Sequence, residues 1–182
     1  MKLTSVLVLS LSVLLLSEAY GQSAYTLKEG DILSISVWGE EDLDRETRVL
    51  PDGSISFPLV GNIKASGMTA SQIEKQMARE ISNYIPDANV SVVVMNTEGN
   101  RIYVLGNVNN PGSFIMSSPL SAVQALSLAG GLSTFADEND ILIIRQNGAE
   151  QTRLPIRYSD ILSGKNLQSN HQLKAGDTIL VP

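Results

Sequence analysis

Apolar and polar positions in this chain alternate in short stretches, with a helical spacing in only two places. Ile32 to Trp38 reads Ile-Leu-Ser-Ile-Ser-Val-Trp and predicts a strand. The acidic stretch Glu40 to Asp44 then leads to a second strand over Arg45 to Leu50. Pro51-Asp52-Gly53 is a turn tripeptide, with proline presetting φ and glycine free to take φ > 0. Ser54 to Phe57 alternates behind it, so the pattern predicts a hairpin around this turn. Pro58 and Gly61 punctuate the chain before a short strand at Asn62 to Ala65. Thr69-Ala70-Ser71-Gln72 fits a capping box, and Ile73, Met77, Ile81 and Ile85 recur every four residues behind it, predicting an amphipathic helix ended by Pro86. Asn89 to Met95 is a β-branched strand.

Thr97-Glu98-Gly99-Asn100 is a polar break, after which the pattern starts afresh. Arg101 to Val108 is a strand, and Asn110-Pro111-Gly112 turns the chain into Ser113 to Met116. Ser118 is placed to cap a helix whose first residue is Pro119, with an apolar face of Leu120, Val123, Ala125, Leu126 and Ala129 and an end at Gly130-Gly131. Ile141 to Arg145, an Asn147-Gly148 turn and Gln151 to Ile156 form the clearest hairpin. A helical turn at Tyr158 to Leu162, a polar loop through His171 and a strand at Thr178 to Val181 complete the pattern. These elements predict an α+β protein of two small β-rich domains, each a sheet with one covering helix. The domains span 22–97 and 98–182.

The N-terminus is a separate matter. Lys2 precedes an apolar run from Leu3 to Leu16, and small residues follow around Ala19 to Gly21. This is the layout of a secretory signal peptide over 1–21, cleaved after Ala19 or Gly21. The run is shorter than the roughly 20 residues a transmembrane helix needs. The chain has no cysteine, which removes disulfides, thiolate metal sites, thiol nucleophiles and the acylated-cysteine anchor of lipoproteins. Its net charge of −6 is a poor match for nucleic acid or an anionic membrane surface. Export out of the cytoplasm is expected.

Leu27-Lys28-Glu29-Gly30-Asp31-Ile32 is echoed by Leu173-Lys174-Ala175-Gly176-Asp177-Thr178. In each, glycine suits the φ > 0 corner of a turn and aspartate can bond back to that turn before a strand begins.

Several ordered motifs carry a resemblance. Tyr25-x-Leu27-x-x-Gly30-Asp31-x-Leu33-x-Ile35, Asp52-Gly53-x-Ile55-x-Phe57-Pro58-Leu59-Val60-Gly61, Gly67-Met68-Thr69 and Pro86-x-Ala88-x-Val90 resemble the N-terminal domain of polysaccharide biosynthesis and export proteins. Val104-x-Gly106-x-Val108-x-x-Pro111-Gly112-x-Phe114, Ala129-Gly130-Gly131 and Leu173-x-x-Gly176-Asp177-x-Ile179-x-Val181-Pro182 are similar to the soluble-ligand-binding β-grasp (SLBB) domain that follows in that family.

The resemblance implies a non-enzymatic periplasmic component, peripheral to the outer membrane at most, of a conduit for capsular polysaccharide or exopolysaccharide. Its implied partners are the polymer, an inner-membrane co-polymerase and further copies of itself. Pore-forming members carry a lipidated cysteine and a C-terminal amphipathic helix, and this sequence shows neither, so a separate outer-membrane β-barrel protein is expected to supply the final passage. The rival readings are a periplasmic glycan-binding module outside any conduit and a polysaccharide-modifying enzyme.

Individual candidate sites are few, and no cofactor is implied. Glu40, Glu41, Asp42 and Asp44 are carboxylates in a loop run, which fixes no separation of the kind glycoside cleavage requires, and they read as a solvated loop. Asp137-Glu138-Asn139-Asp140 lacks the spacing and central glycine of an EF-hand and reads as a polar turn. His171 stands without a partner ligand type. Trp38 is the one glycan-contact candidate, because an indole face suits the C–H side of a pyranose, although its position at a strand end reads first as partly buried. Gly30, Gly53, Gly61, Gly106, Pro111 and Gly112 are read as backbone geometry that diagnoses the fold.

Overall fold

The computed structural model describes residues 24–182, and the expected signal peptide lies outside the described residues. Ten strands and three helices follow in the order β1 (Ile32–Val37), β2 (Arg45–Arg48), β3 (Ser54–Phe57), β4 (Gly61–Lys64), α1 (Ala70–Ile81), β5 (Val90–Asn96), β6 (Arg101–Gly106), β7 (Gly112–Ile115), α2 (Ala122–Leu128), β8 (Ile141–Asn147), β9 (Glu150–Ile156), α3 (Tyr158–Leu162) and β10 (Thr178–Val181). The protein is α+β, as its alternating pattern implies.

Buried side chains form two clusters. Leu33, Ile35 and Val37 of β1 alternate inward and meet Ile55 and Phe57 of β3, Ile63 of β4, Val90 and Val92 of β5, and the Ile73, Met77 and Ile81 face of α1. The second cluster joins Ile102 and Val104 of β6, Ile141 and Ile143 of β8, Ile156 of β9, and Ile179 and Val181 of β10 under Ala122, Ala125, Leu126 and Ala129. Ala122, Ala125 and Leu126 are the buried residues of α2, the covering helix of this second, β-grasp-like unit.

The first cluster is covered by two sheets rather than one. β1 is central between β2 and β5, all antiparallel, while β3 and β4 pair only with each other. This corrects the hairpin expected around Pro51-Asp52-Gly53. That turn closes, with the Gly53 N–H donating to Leu50 O and the Leu50 N–H to Ser54 O, both at 2.8 Å. The strands then diverge, because β3 spends its ladder on β4 from Ser54↔Lys64 to Phe57↔Gly61. In the second sheet the order is β7-β6-β10-β8-β9, with β10 parallel to β6 and antiparallel to β8.

Helix boundaries follow capping chemistry. At α1, Thr69 Oγ1 accepts from the Gln72 N–H while Gln72 Oε1 accepts from the Thr69 N–H, completing the expected capping box. The regular helix ends at Ile81, one turn earlier than the apolar spacing suggests, although the Ile85 N–H still donates to Ile81 O. A residue before proline is disfavoured in the α region, and Ile85 precedes Pro86.

At α2 the cap is Ser121, not Ser118, and the first helical residue is Ala122, not Pro119. Ser121 forms a second capping box with Gln124, and the Leu173 N–H donates to Leu120 O at 2.8 Å, holding the preceding segment outside the helix. The β8–β9 hairpin turns on Gly148-Ala149, one residue beyond the expected pair, since Asn147 and Glu150 are its last paired residues.

Candidate functional site

β1 delivers Trp38 to the surface. Its N–H continues the strand by donating to Asn89 O at 2.9 Å, and the Glu40 N–H donates to Val37 O at 3.0 Å to close a turn at Gly39. A single 3-10 turn over Glu41–Leu43 follows, and Asp44 Oδ1 accepts from the Val37 N–H at 3.1 Å, tying both ends of the loop together. The Trp38 side chain is 87% exposed, which corrects the expectation of a partly buried strand end. Alternation already places Val37 inward, and the turn at Gly39 carries Trp38 past the edge of the core. Beside the indole lies an open hollow of about 210 Å³ lined by Ser36, Glu40, Glu41, Asp44, Asn89 and Ser91. Asn89 and Ser91 were invisible as site residues in the sequence, because only the β1–β5 pairing brings them here.

The two echoed turns share one geometry. Gly30 has φ +97° and Gly176 φ +85°. Asp31 and Asp177 are both fully buried, and each accepts from the backbone N–H three residues earlier, Lys28 at 2.9 Å and Lys174 at 2.8 Å. Their remaining bonds differ. Asp31 accepts from the Tyr25 hydroxyl at 2.7 Å and the Gly99 N–H at 3.0 Å. Burial first, then the bond to Asp31 and that carboxylate's charge, push the Tyr25 phenol well above its ordinary range. Asp177 instead takes a two-pronged pair with Arg145, Nε to Oδ1 at 2.8 Å and Nη2 to Oδ2 at 2.7 Å.

Other motif positions are structural in detail. Asp52 Oδ1 accepts from the Ser54 N–H at 2.9 Å to fix the turn before β3. Pro58 opens the β3–β4 loop, whose Leu59 takes φ +65° with its side chain largely exposed, a strained position nothing in the sequence announces. Gly53, Gly61, Gly130 and Gly131 all have positive φ, and Gly106 does so against Val181. Gly112, after Pro111, opens β7 with neither positive φ nor a close neighbour, so backbone geometry does not require glycine there.

The remaining candidates stay apart. Glu40, Glu41, Asp42 and Asp44 are exposed around their loop, and Asp137 Oδ1 accepts from the Asn139 N–H in a local turn. The His171 ring nitrogen Nε2 lies 3.2 Å from Pro155 O. Among the described residues no three metal-binding side chains cluster, and no helix is long and apolar enough to cross a membrane.

The outer face of the five-stranded sheet carries an apolar row. Leu105, Leu180, Leu142 and Pro155 are successive cross-strand partners on β6, β10, β8 and β9, with Tyr103 and Ile115 alongside.

Residues 19–95 match the family model described as polysaccharide biosynthesis/export protein, and residues 100–181 match the SLBB domain. The chain belongs to the polysaccharide biosynthesis/export family. Proteins of similar sequence include the EPS I polysaccharide export outer membrane protein EpsA of Ralstonia nicotianae. It is 30% identical over 86% of this chain and 47% of its own length. The polysialic acid transport protein KpsD of Escherichia coli is 28% identical over 86% of this chain and 28% of its own. The exopolysaccharide production protein ExoF of Rhizobium meliloti is 30% identical over 62% and 29%. This chain therefore spans less than half the length of these curated relatives.

Proposed function

We propose that this chain is a periplasmic component of a capsular polysaccharide or exopolysaccharide export machine, moving polymer without cutting it. It forms or docks onto the conduit between an inner-membrane co-polymerase and an outer-membrane passage supplied by a separate β-barrel protein. The observation that carries this reading is the back-to-back match of an export domain and an SLBB domain over almost all of the chain. Two working domains, 22–97 and 98–182, agree with two separate buried clusters. Homo-oligomerisation is part of the proposal, and the apolar row from Leu105 to Pro155 supports it, since exposed apolar patches mark contact surfaces.

The test is surface and released polysaccharide in a clean deletion strain, its parent and a strain re-expressing residues 1–182. Loss of surface polymer with recovery on complementation is expected. Unchanged polymer would overturn the export role. The exposed Trp38 beside a hollow with hydroxyl, amide and carboxylate side chains favours one alternative, a periplasmic glycan-binding module outside any conduit. That reading predicts glycan binding without recovery of any membrane-protein partner.

A further inference from the structure

The Trp38 side chain stands clear of both buried clusters, while its loop packs Leu43 against the first of them and is held in one shape. The Leu43 N–H donates to Glu40 O at 2.9 Å and the Asp44 N–H to Glu41 O at 3.1 Å, in addition to the bonds from Trp38, Glu40 and Val37. An indole 87% exposed on a loop this well bonded is placed there by the backbone. Its flat apolar face borders a hollow also lined by Val37 and Gly39, whose polar side chains are hydroxyls, an amide and carboxylates, the groups that hydrogen-bond sugar hydroxyls.

The charge of the lining narrows the ligand. Glu40, Glu41 and Asp44 contribute three carboxylates, and no cationic side chain lines the hollow. Arg45, next along the chain, is engaged elsewhere: its Nη2 donates to Asp42 O at 3.2 Å and its guanidinium lies 5.8 Å from the Phe57 ring centre. A uronate or sialate carboxylate entering here would meet like charges with no counter-ion from the protein. The carboxylates by themselves point to no ligand; the indole and the hollow do.

We infer that the Trp38 hollow is a binding subsite for an uncharged pyranose, an inference that rests on the polysaccharide reading of this protein and names the sugar class at one contact. The C–H face of the sugar stacks on the indole, and its hydroxyls bond the Asn89 amide, Ser36, Ser91 and the carboxylates. Acidic sugars are disfavoured there. A contact of this size is weak and reversible, as passage of a moving polymer requires.

Trp38 is the only tryptophan in the chain, so its emission reports this site alone. The full exported chain is titrated with neutral gluco-, manno- and galacto-oligosaccharides and with oligogalacturonate of matched length, at low and high salt. At least one neutral oligomer should shift the emission saturably with little dependence on salt. Oligogalacturonate should bind at least about five-fold more weakly at low salt, the difference shrinking as salt screens the carboxylates. Asn89→Ala keeps the reporter and should weaken neutral binding about five-fold, the scale of one lost polar or aromatic contact.

The inference is overturned if no neutral oligomer gives a saturable change, if oligogalacturonate binds as tightly, or if the emission shifts with protein concentration alone, which would assign Trp38 to a protein interface. The deletion strain separates the two levels. Lost surface polymer without sugar binding leaves the export role standing and removes this subsite; binding with an unchanged surface removes the export role.

Discussion

Removing the Arg145 guanidinium tests whether the turn before β10 depends on its ion pair. Arg145 makes three bonds, two to Asp177 and one from Nη2 to Gln172 O at 2.8 Å, and the paired side chains are only 15% and 1% exposed. Arg145→Met keeps much of the stem volume and leaves Asp177 with a single donor, the Lys174 N–H. Breaking a buried pair from one side costs about 3–5 kcal/mol, because the surviving charge stays buried without compensation. Arg145 lies near the surface and water can relax the site, so the lower end, about 3 kcal/mol, is expected.

With a urea dependence of about 2 kcal/mol per molar, the midpoint should fall by about 1.5 M. Far-UV circular dichroism of the urea transition measures this, and the loss should fall on the melting of the five-stranded sheet. The double variant with Asp177→Asn removes the stranded charge while the amide oxygen still accepts from Lys174, so it should be at least as stable as Arg145→Met alone. A midpoint shift below about 0.5 M in the single variant would refute the reasoning. So would a double variant that loses the sum of the two single changes.

Two further outcomes follow from local geometry. Gly106 has φ +93°, and a Cβ there would sit 1.9 Å from Val181 O, the atom that also accepts from the Asn107 N–H at 2.8 Å. Gly106→Ala should therefore cost about 3 kcal/mol or more through positive-φ strain and the lost β6–β10 contact, while Gly112→Ala should stay within about 1 kcal/mol of the parent. Equal thermal melting of the two variants would contradict this. Tyr25 has a raised folded-state pKa, so its contribution is complete below the unfolded phenol's pKa and is lost as pH rises above it. Between about pH 9 and pH 11 the parent should lose denaturant resistance more steeply than Tyr25→Phe, and parallel curves would rule out the Tyr25–Asp31 bond as the cause.

What the sequence made legible was local. The Thr69–Gln72 box, the β8 and β9 strands and both Gly-Asp turns depend on residues within a few positions of one another, and their chemistry stands in the letters. Partner choice did not. Ser54 to Phe57 alternates equally well for a partner before or after it, and only the ladder to Gly61–Lys64 decides. At α2 the Ser121-x-x-Gln124 signature was available, but Ser118-Pro119 offers an equally regular start, and the contact of Leu120 with distant Leu173 settles the boundary. Trp38 was misjudged because strand alternation places the preceding Val37 inward but is silent on what a turn does to the residue after it. Asn89 and Ser91 carry no signal of their own and become site residues only through pairing of β1 with β5.

The two Gly-Asp turns show how one local solution is put to different ends. In the second, the spare capacity of Asp177 is taken by Arg145, within the same buried cluster's sheet. In the first, Asp31 reaches forward to the Gly99 N–H, and the neighbouring Lys28 Nζ donates to Asn100 Oδ1 at 2.9 Å. Arg48 adds an ion pair with Glu98 at 2.9 Å, which holds that carboxyl below its usual range through hydrogen bond and charge. Asn100 in turn accepts from the Met116 N–H at 2.7 Å, in the segment following β7. The polar break that reads as a linker is thus bonded on one side to the turn before β1 and on the other to the second sheet. A Cβ at Gly99 would lie 2.4 Å from Glu29 O, so the seat is too close for any other residue without movement. A linker held at several points restricts the relative motion of the segments it joins far more than an unbonded polar tether of the same four residues would.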